Sequence, residues 1–168
     1  KDLCKEAYAE INWNVIVDKV DPTLKTATRK QSKNQLVGDL KPSQRIIYDT
    51  ISTLFYMMKY NRMRYCSIIT GGNVDQHRHT DQGLDTSYSV IVALADRNFT
   101  IYYTDGSHTV VELSMHAGDV LVFNTQVWHA GGVNDESSAA MFMYYDVDIG
   151  FDGTGYNAMC NPHHHWEI

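Results

Sequence analysis

Gln76-His77-Arg78-His79-Thr80-Asp81 decides the fold, because it makes sense only with a second stretch about fifty residues downstream, Trp128-His129-Ala130-Gly131-Gly132. In an extended chain alternate side chains share a face, so His77, His79 and Asp81 line up together while Arg78 and Thr80 point away. Two imidazoles and a carboxylate fill three corners of an octahedron and leave the other corners open, which makes the first stretch a half-built metal site. The second histidine has to come from elsewhere, and His129 is best placed to supply it. The reading therefore demands two strands, remote in sequence, lying side by side.

Working outward from the motif, everything after Met63 reads as β-structure. Strands are predicted over 64–70, 74–79, 88–95, 98–104, 109–113, 120–123, 126–129 and 139–147, from alternating or β-branched runs. Gly71-Gly72-Asn73, Asp105-Gly106, Gly118-Asp119 and Asn134-Asp135 are the turns between them. Upstream, Ile47, Ile51, Leu54, Phe55 and Met58 recur at helical spacing, with Ser43 to cap and Asn61 to stop an amphipathic helix over 43–60. Residues 3–20 read as a short helix followed by a strand, and the basic stretch 21–42 as a loop, either a solvated connection, a lid or a contact for an anionic substrate. About eight short strands with no helix between them exclude a βαβ fold. They predict a mainly β chain with N-terminal helices, a double-stranded β-helix or jelly roll. The expected layout is one domain over 1–168: a helical and loop support region (1–62), a jelly-roll core (63–149) and a C-terminal tail (150–168).

The chain has 168 residues, 43% of them hydrophobic and 20% charged, which is ordinary for a globular domain large enough to build its own core. A net charge of -6 argues against nucleic acid as a partner, leaving a small-molecule or peptide substrate as the expectation. The three cysteines, Cys4, Cys66 and Cys160, lack CxxC spacing, so neither a disulfide framework nor a zinc ribbon is expected, and Cys66 reads as a packed strand residue. No apolar run approaches the ~20 residues of a membrane span. An intracellular, cytoplasmic protein is the simplest expectation; the chain opens on Lys1, which reads as a trimmed start and leaves targeting open. Composition is silent on oligomeric state.

A helix, then Arg64-Tyr65 on a strand, a glycine turn, His79-Thr80-Asp81, and Gly118-Asp119-Val120-Leu121-Val122-Phe123 leading into Trp128-His129 together resemble the 2-oxoglutarate and Fe(II)-dependent dioxygenase superfamily. The nearest groups are prolyl-4-hydroxylase-like and phytanoyl-CoA-hydroxylase-like. The resemblance covers roughly residues 43–147. It implies that His79, Asp81 and His129 hold Fe(II), with positions open for 2-oxoglutarate and O2, in an oxidoreductase acting on an organic substrate. Most members carry an Arg or Lys about ten residues beyond the distal histidine to hold the far carboxylate of 2-oxoglutarate. Here that place reads Ser137-Ser138-Ala139-Ala140-Met141-Phe142, with no cation. Arg64, Arg97 and Arg78 are the cations that could substitute, and Tyr65 and Tyr103 could add hydroxyl donors. Trp128, Asn134 and Tyr145 are candidates for the substrate pocket.

Two further readings use the same strands. In a cupin-type metalloenzyme His77, His79 and His129 would be the ligands, with Asp81 or Asp85 standing in for the usual glutamate, and the reaction could be a dioxygenation, an isomerisation or a lyase step. In a non-enzymatic jelly-roll binding module the same side chains would be polar strand residues. His108, His116 and the run His163 to His165 read as turn, strand-end and tail residues.

Overall fold

The structure, a computed structural model, describes residues 2–13, 16–17, 29–32, 35–54, 62–73, 76, 78–81, 87–102, 110–135 and 137–146. Two helices, α1 (Asp2–Ala9) and α2 (Pro42–Leu54), precede the main strands. Pro42 opens α2 with its φ already helical and no N–H to lose. The Glu10 carboxylate accepts hydrogen bonds from the backbone N–H groups of Ser43 and Gln44 (3.0 and 3.4 Å), so a carboxylate from the neighbouring chain segment does the capping expected of Ser43. Ile47 and Ile51 form the buried stripe of α2; its expected extension past Leu54 falls outside the described residues.

The strands are β1 (Ile16–Val17), β2 (Gln31–Ser32), β3 (Arg62–Thr70), β4 (Tyr88–Ala93), β5 (Arg97–Tyr102), β6 (Val110–Met115), β7 (Val120–Asn124), β8 (Trp128–Gly131) and β9 (Ala139–Asp146). They form two antiparallel sheets, one ordered β1-β2-β3-β9-β4-β7 and one ordered β6-β5-β8. From β3 onward, apart from the directly paired β5 and β6, sequence neighbours sit in opposite sheets or across another strand, as in a jelly roll. The stretch 21–42, expected to be loop, contributes β2 and a 3₁₀ turn at Val37–Asp39. Polar Gln31 and Ser32 gave no apolar signal, but Ser32 Oγ accepts the Ile68 N–H and Thr70 N–H reaches the Lys30 carbonyl, so hydrogen bonds from backbone and side chain recruit this edge.

The larger sheet has a core on each face. Cys66, Ile68, Val90, Val92, Ala139, Met141, Met143 and Tyr145 meet α1 and α2. Their alternates Ile91, Ala93, Ala140, Phe142 and Tyr144 meet Phe99, Ile101 and Met115 of the smaller sheet, with Leu121 and Phe123 completing that inner layer. This two-sided burial explains why all six residues of β4 are buried. Among the described residues no helix is long and apolar enough to cross a membrane.

Candidate metal centre

His129 lies on β8 directly opposite Ile101 of β5, and its own N–H and carbonyl turn to the strand's other edge. There they bond to His79 in both directions at 2.9 Å, and Gln76 N–H donates to the Gly131 carbonyl at 2.9 Å. The segment carrying the motif is thus a bridged neighbour of β8, the side-by-side pairing that the sequence demanded. Ile101 belongs to the inner layer, so His129 faces the interior, and it is 3% exposed.

His79, Asp81 and His129 each present one ligand atom, and these atoms lie within 4.8 Å of one another. His129 Nδ1 bonds to the Val127 carbonyl at 2.9 Å. A carbonyl only accepts, so Nδ1 carries the proton and Nε2 keeps its lone pair, 3.8 Å from Asp81 Oδ1. Burial pushes the His129 pKa below its ordinary value; the Asp81 carboxylate and the Val127 bond push it upward, and His79 pushes it down. A neutral imidazole is the form that binds a metal. Around the cluster, the His79 and His129 ring centres are 4.5 Å apart, Phe123 meets His129 edge-on at 4.7 Å, and Phe99 lies nearly parallel to it at 5.5 Å. Two imidazole nitrogens and a carboxylate oxygen converging without thiolates are the donor set that suits Fe(II) and related divalent ions, so the residues present fit such a metal.

Asp81 has a partner that the sequence reading missed. Ser89 Oγ donates to Asp81 Oδ2. Ser89 sits opposite Phe123 and Tyr144, both of the inner layer, which places its hydroxyl inside the barrel. A hydroxyl in a fully buried strand needs a partner, and that rule could have singled it out in Tyr88-Ser89-Val90-Ile91.

The other candidates divide. Trp128 alternates with His129, so its ring is on the outer face of the smaller sheet, 40% exposed, with the Arg78 guanidinium 5.8 Å from its centre. It is a surface residue and Arg78 goes with it. Tyr145 packs in the layer beneath the helices, and it is Tyr144 that faces the barrel interior. Asn134 is occupied structurally: its Oδ1 accepts the Asn98 N–H at 2.5 Å, and its Nδ2 donates to the carbonyls of Asn98 and Gly132 at 3.0 and 2.7 Å. These three depart from the expected substrate pocket. Arg97 stands inside the barrel, opposite inward-facing Met115 and 6% exposed. His77, Tyr103 and Asp85, and the side chains of Arg64 and Tyr65, lie outside the described residues. So do His108 and the tail histidines; His116 is exposed at the end of β6.

No family model matches the sequence, and no curated protein matches it either. Solved structures do match in fold. A Pseudomonas putida prolyl-4-hydroxylase aligns with a TM-score of 0.57 at 15% identity, covering 88% of this chain and 87% of that one. HygX from Streptomyces hygroscopicus, solved with nickel and 2-oxoglutarate bound, aligns with a TM-score of 0.59 at 12% identity, covering 88% and 79%. The non-haem α-ketoglutarate-dependent epimerase SnoN of nogalamycin biosynthesis gives 0.57 at 17% identity, covering 70% of this chain and 61% of SnoN. The chain therefore spans about three fifths of the length of SnoN. The fold is the jelly roll of the 2-oxoglutarate and Fe(II)-dependent oxygenases, as the motif order implied.

Proposed function

We propose that the protein is a non-haem Fe(II)-dependent dioxygenase that uses a 2-oxo acid, 2-oxoglutarate, and O2 to hydroxylate or otherwise oxidise an organic substrate, a small molecule or a peptide. One observation carries the reading: the carboxylate of Asp81 converges with the imidazoles of His79 and His129 inside the barrel of a fold shared with enzymes of this chemistry. With iron and 2-oxoglutarate bound, O2 is reduced as the 2-oxo acid loses CO2 and the substrate is oxidised.

The chain's own residues do the positioning. His79 and His129 would hold the metal from two segments locked by reciprocal backbone bonds, which fix the separation of the two Cα positions. Ser89 keeps Asp81 Oδ2 engaged and turns Oδ1 toward the histidines. Phe99 and Phe123 keep water from the back of His129, which strengthens every polar contact in front of it.

The test is anaerobic. One equivalent of Fe(II) followed by 2-oxoglutarate should give a saturable visible charge-transfer band of a chelated 2-oxo acid. Iron retention without the band would remove 2-oxoglutarate from the reading, and no iron binding would remove the metal centre altogether.

A further inference from the structure

Arg97 is the one described arginine on the inner layer of the smaller sheet, and its Nε and Nη1 are buried without a hydrogen-bond partner. Among the described residues no carboxylate stands within ion-pair distance of it. A guanidinium withdrawn from water with no counter-ion is costly to the fold, and such a group is seldom kept without an anion to receive. A neighbouring charge makes matters worse: Arg29, two residues before β2, repels it. Burial and that repulsion lower the Arg97 pKa to about 10, which still leaves it cationic at neutral pH.

Arg29 reaches the same interior. Its Nη2 donates to the carbonyls of Gly131 and Gly132 at 2.9 and 3.3 Å. A Cβ built on Gly131 would meet the guanidinium at 3.0 to 3.3 Å, so Arg29 occupies the space that a side chain at 131 would fill. Gly131 is opposite Phe99 and two residues beyond His129, on the same face. Alternate residues of a strand are about 7 Å apart. That is the reach of a five-carbon dicarboxylate whose first two carbons are held at the metal ligands. The small side chain of Ala140 stands on the facing layer, where the resemblance would have placed a cation.

We propose that Arg97 and Arg29 together form a carboxylate-binding site inside the barrel, which takes the distal carboxylate of a dicarboxylic 2-oxo acid. The cation comes from β5 and from the N-terminal segment, not from β9. The proposal rests on the metal-dependent reading above for the ligand's other end, but the anion site itself does not need the metal. A consequence follows for the fold: the anion relieves the repulsion between the two guanidiniums, so binding also fastens residues 29–32 to β3 and β8.

The experiment compares wild type with Arg97→Gln and, separately, Arg29→Gln. Melting temperatures are taken without ligand, and with glutarate on metal-free protein, since glutarate has the two carboxylates and no chelating oxo group. Dissociation constants for 2-oxoglutarate and pyruvate are taken on Mn(II)-loaded protein. Ligand-free Arg97→Gln should melt no lower than wild type, because an unpartnered charge has been removed. Its 2-oxoglutarate affinity should fall about 100-fold, with pyruvate unchanged, as expected for losing hydrogen bonds to a charged group. Arg29→Gln should show the same selective loss to a smaller degree. Unchanged 2-oxoglutarate affinity, or equal losses for both acids, overturns the proposal. If wild type takes up no metal, the oxygenase reading fails alone: glutarate then still stabilises wild type and not Arg97→Gln if the anion site is right, and stabilises neither if it is wrong.

Discussion

Ser89→Ala removes one oxygen atom from the interior and tests whether the metal centre is held from behind. Ser89 is fully buried, and its hydroxyl donates to Oδ2 of an Asp81 carboxylate whose side chain is only 16% exposed. A hydrogen bond to a charged group contributes about 1.5–3 kcal/mol. At about 1.4 kcal/mol per factor of ten, that corresponds to roughly 10–150-fold in an equilibrium constant. The independent expectation for removing a partner of a metal ligand is about 10–100-fold in metal affinity. The two ranges agree, so Ser89→Ala should bind Fe(II) about 10–100-fold more weakly. The assay is anaerobic competition against a chromophoric chelator, with Mn(II) as an air-stable check and Asp81→Ala as the variant that loses binding outright. Far-ultraviolet circular dichroism should stay unchanged, since alanine suits a site walled by Phe123 and Tyr144. Metal affinity within twofold of wild type in a folded Ser89→Ala protein would refute the argument, because Asp81 would then be oriented without its only described hydroxyl partner.

Two other outcomes are expected. Asn134→Ala should lower stability to urea by about 1–3 kcal/mol for each buried partner left unsatisfied while leaving metal affinity intact, since its amide spans Asn98 and Gly132 and not the interior; a loss below about 0.5 kcal/mol would show that the amide is not structural. The Cys66 thiol is pushed by burial from 9.0 to about 12, so the folded chain keeps a proton that the unfolded chain releases above about pH 9. That contribution is fully present below pH 9 and should fall between 9 and 12 by up to about 1.4 kcal/mol per pH unit, with Tyr145, also raised by burial, adding to the slope at higher pH. Denaturation curves of Cys66→Ala should be flatter than wild type between pH 9 and 10, and identical slopes would contradict the buried-thiol account.

The His79, Asp81 and His129 cluster was legible because two short stretches carry it, an alternating run in one extended segment and a single histidine on a remote predicted strand, and each supplies what the other lacks. What escaped depends on facing and on distance. In Ala139-Ala140-Met141-Phe142-Met143-Tyr144-Tyr145 both faces are buried, so no polar alternation tells inside from outside, and Tyr145 was read onto the wrong face. Trp128, offered as a pocket residue, lies on the outer face because adjacent strand residues point apart. Arg29 lies 102 residues from the Gly131 carbonyl it touches, in a segment whose polarity reads as loop. Ser89 was the one recoverable omission.

The placement of β9 has a consequence for how the chain assembles during synthesis. It lies between β3 and β4 and pairs with both along nearly its whole length, yet it is the last of the described strands to be made. Until it emerges, β3 and β4 have no partner in each other: they stand two strand spacings apart, about 10 Å, across a gap bordered by the apolar residues of both cores. Closing that gap joins the half of the sheet reached through β3 to the half reached through β4, and completes both apolar layers in one event. Completion of the His79, Asp81 and His129 cluster is therefore tied to arrival of the final strand: a nascent chain that already carries these three side chains does not yet have the closed wall behind them.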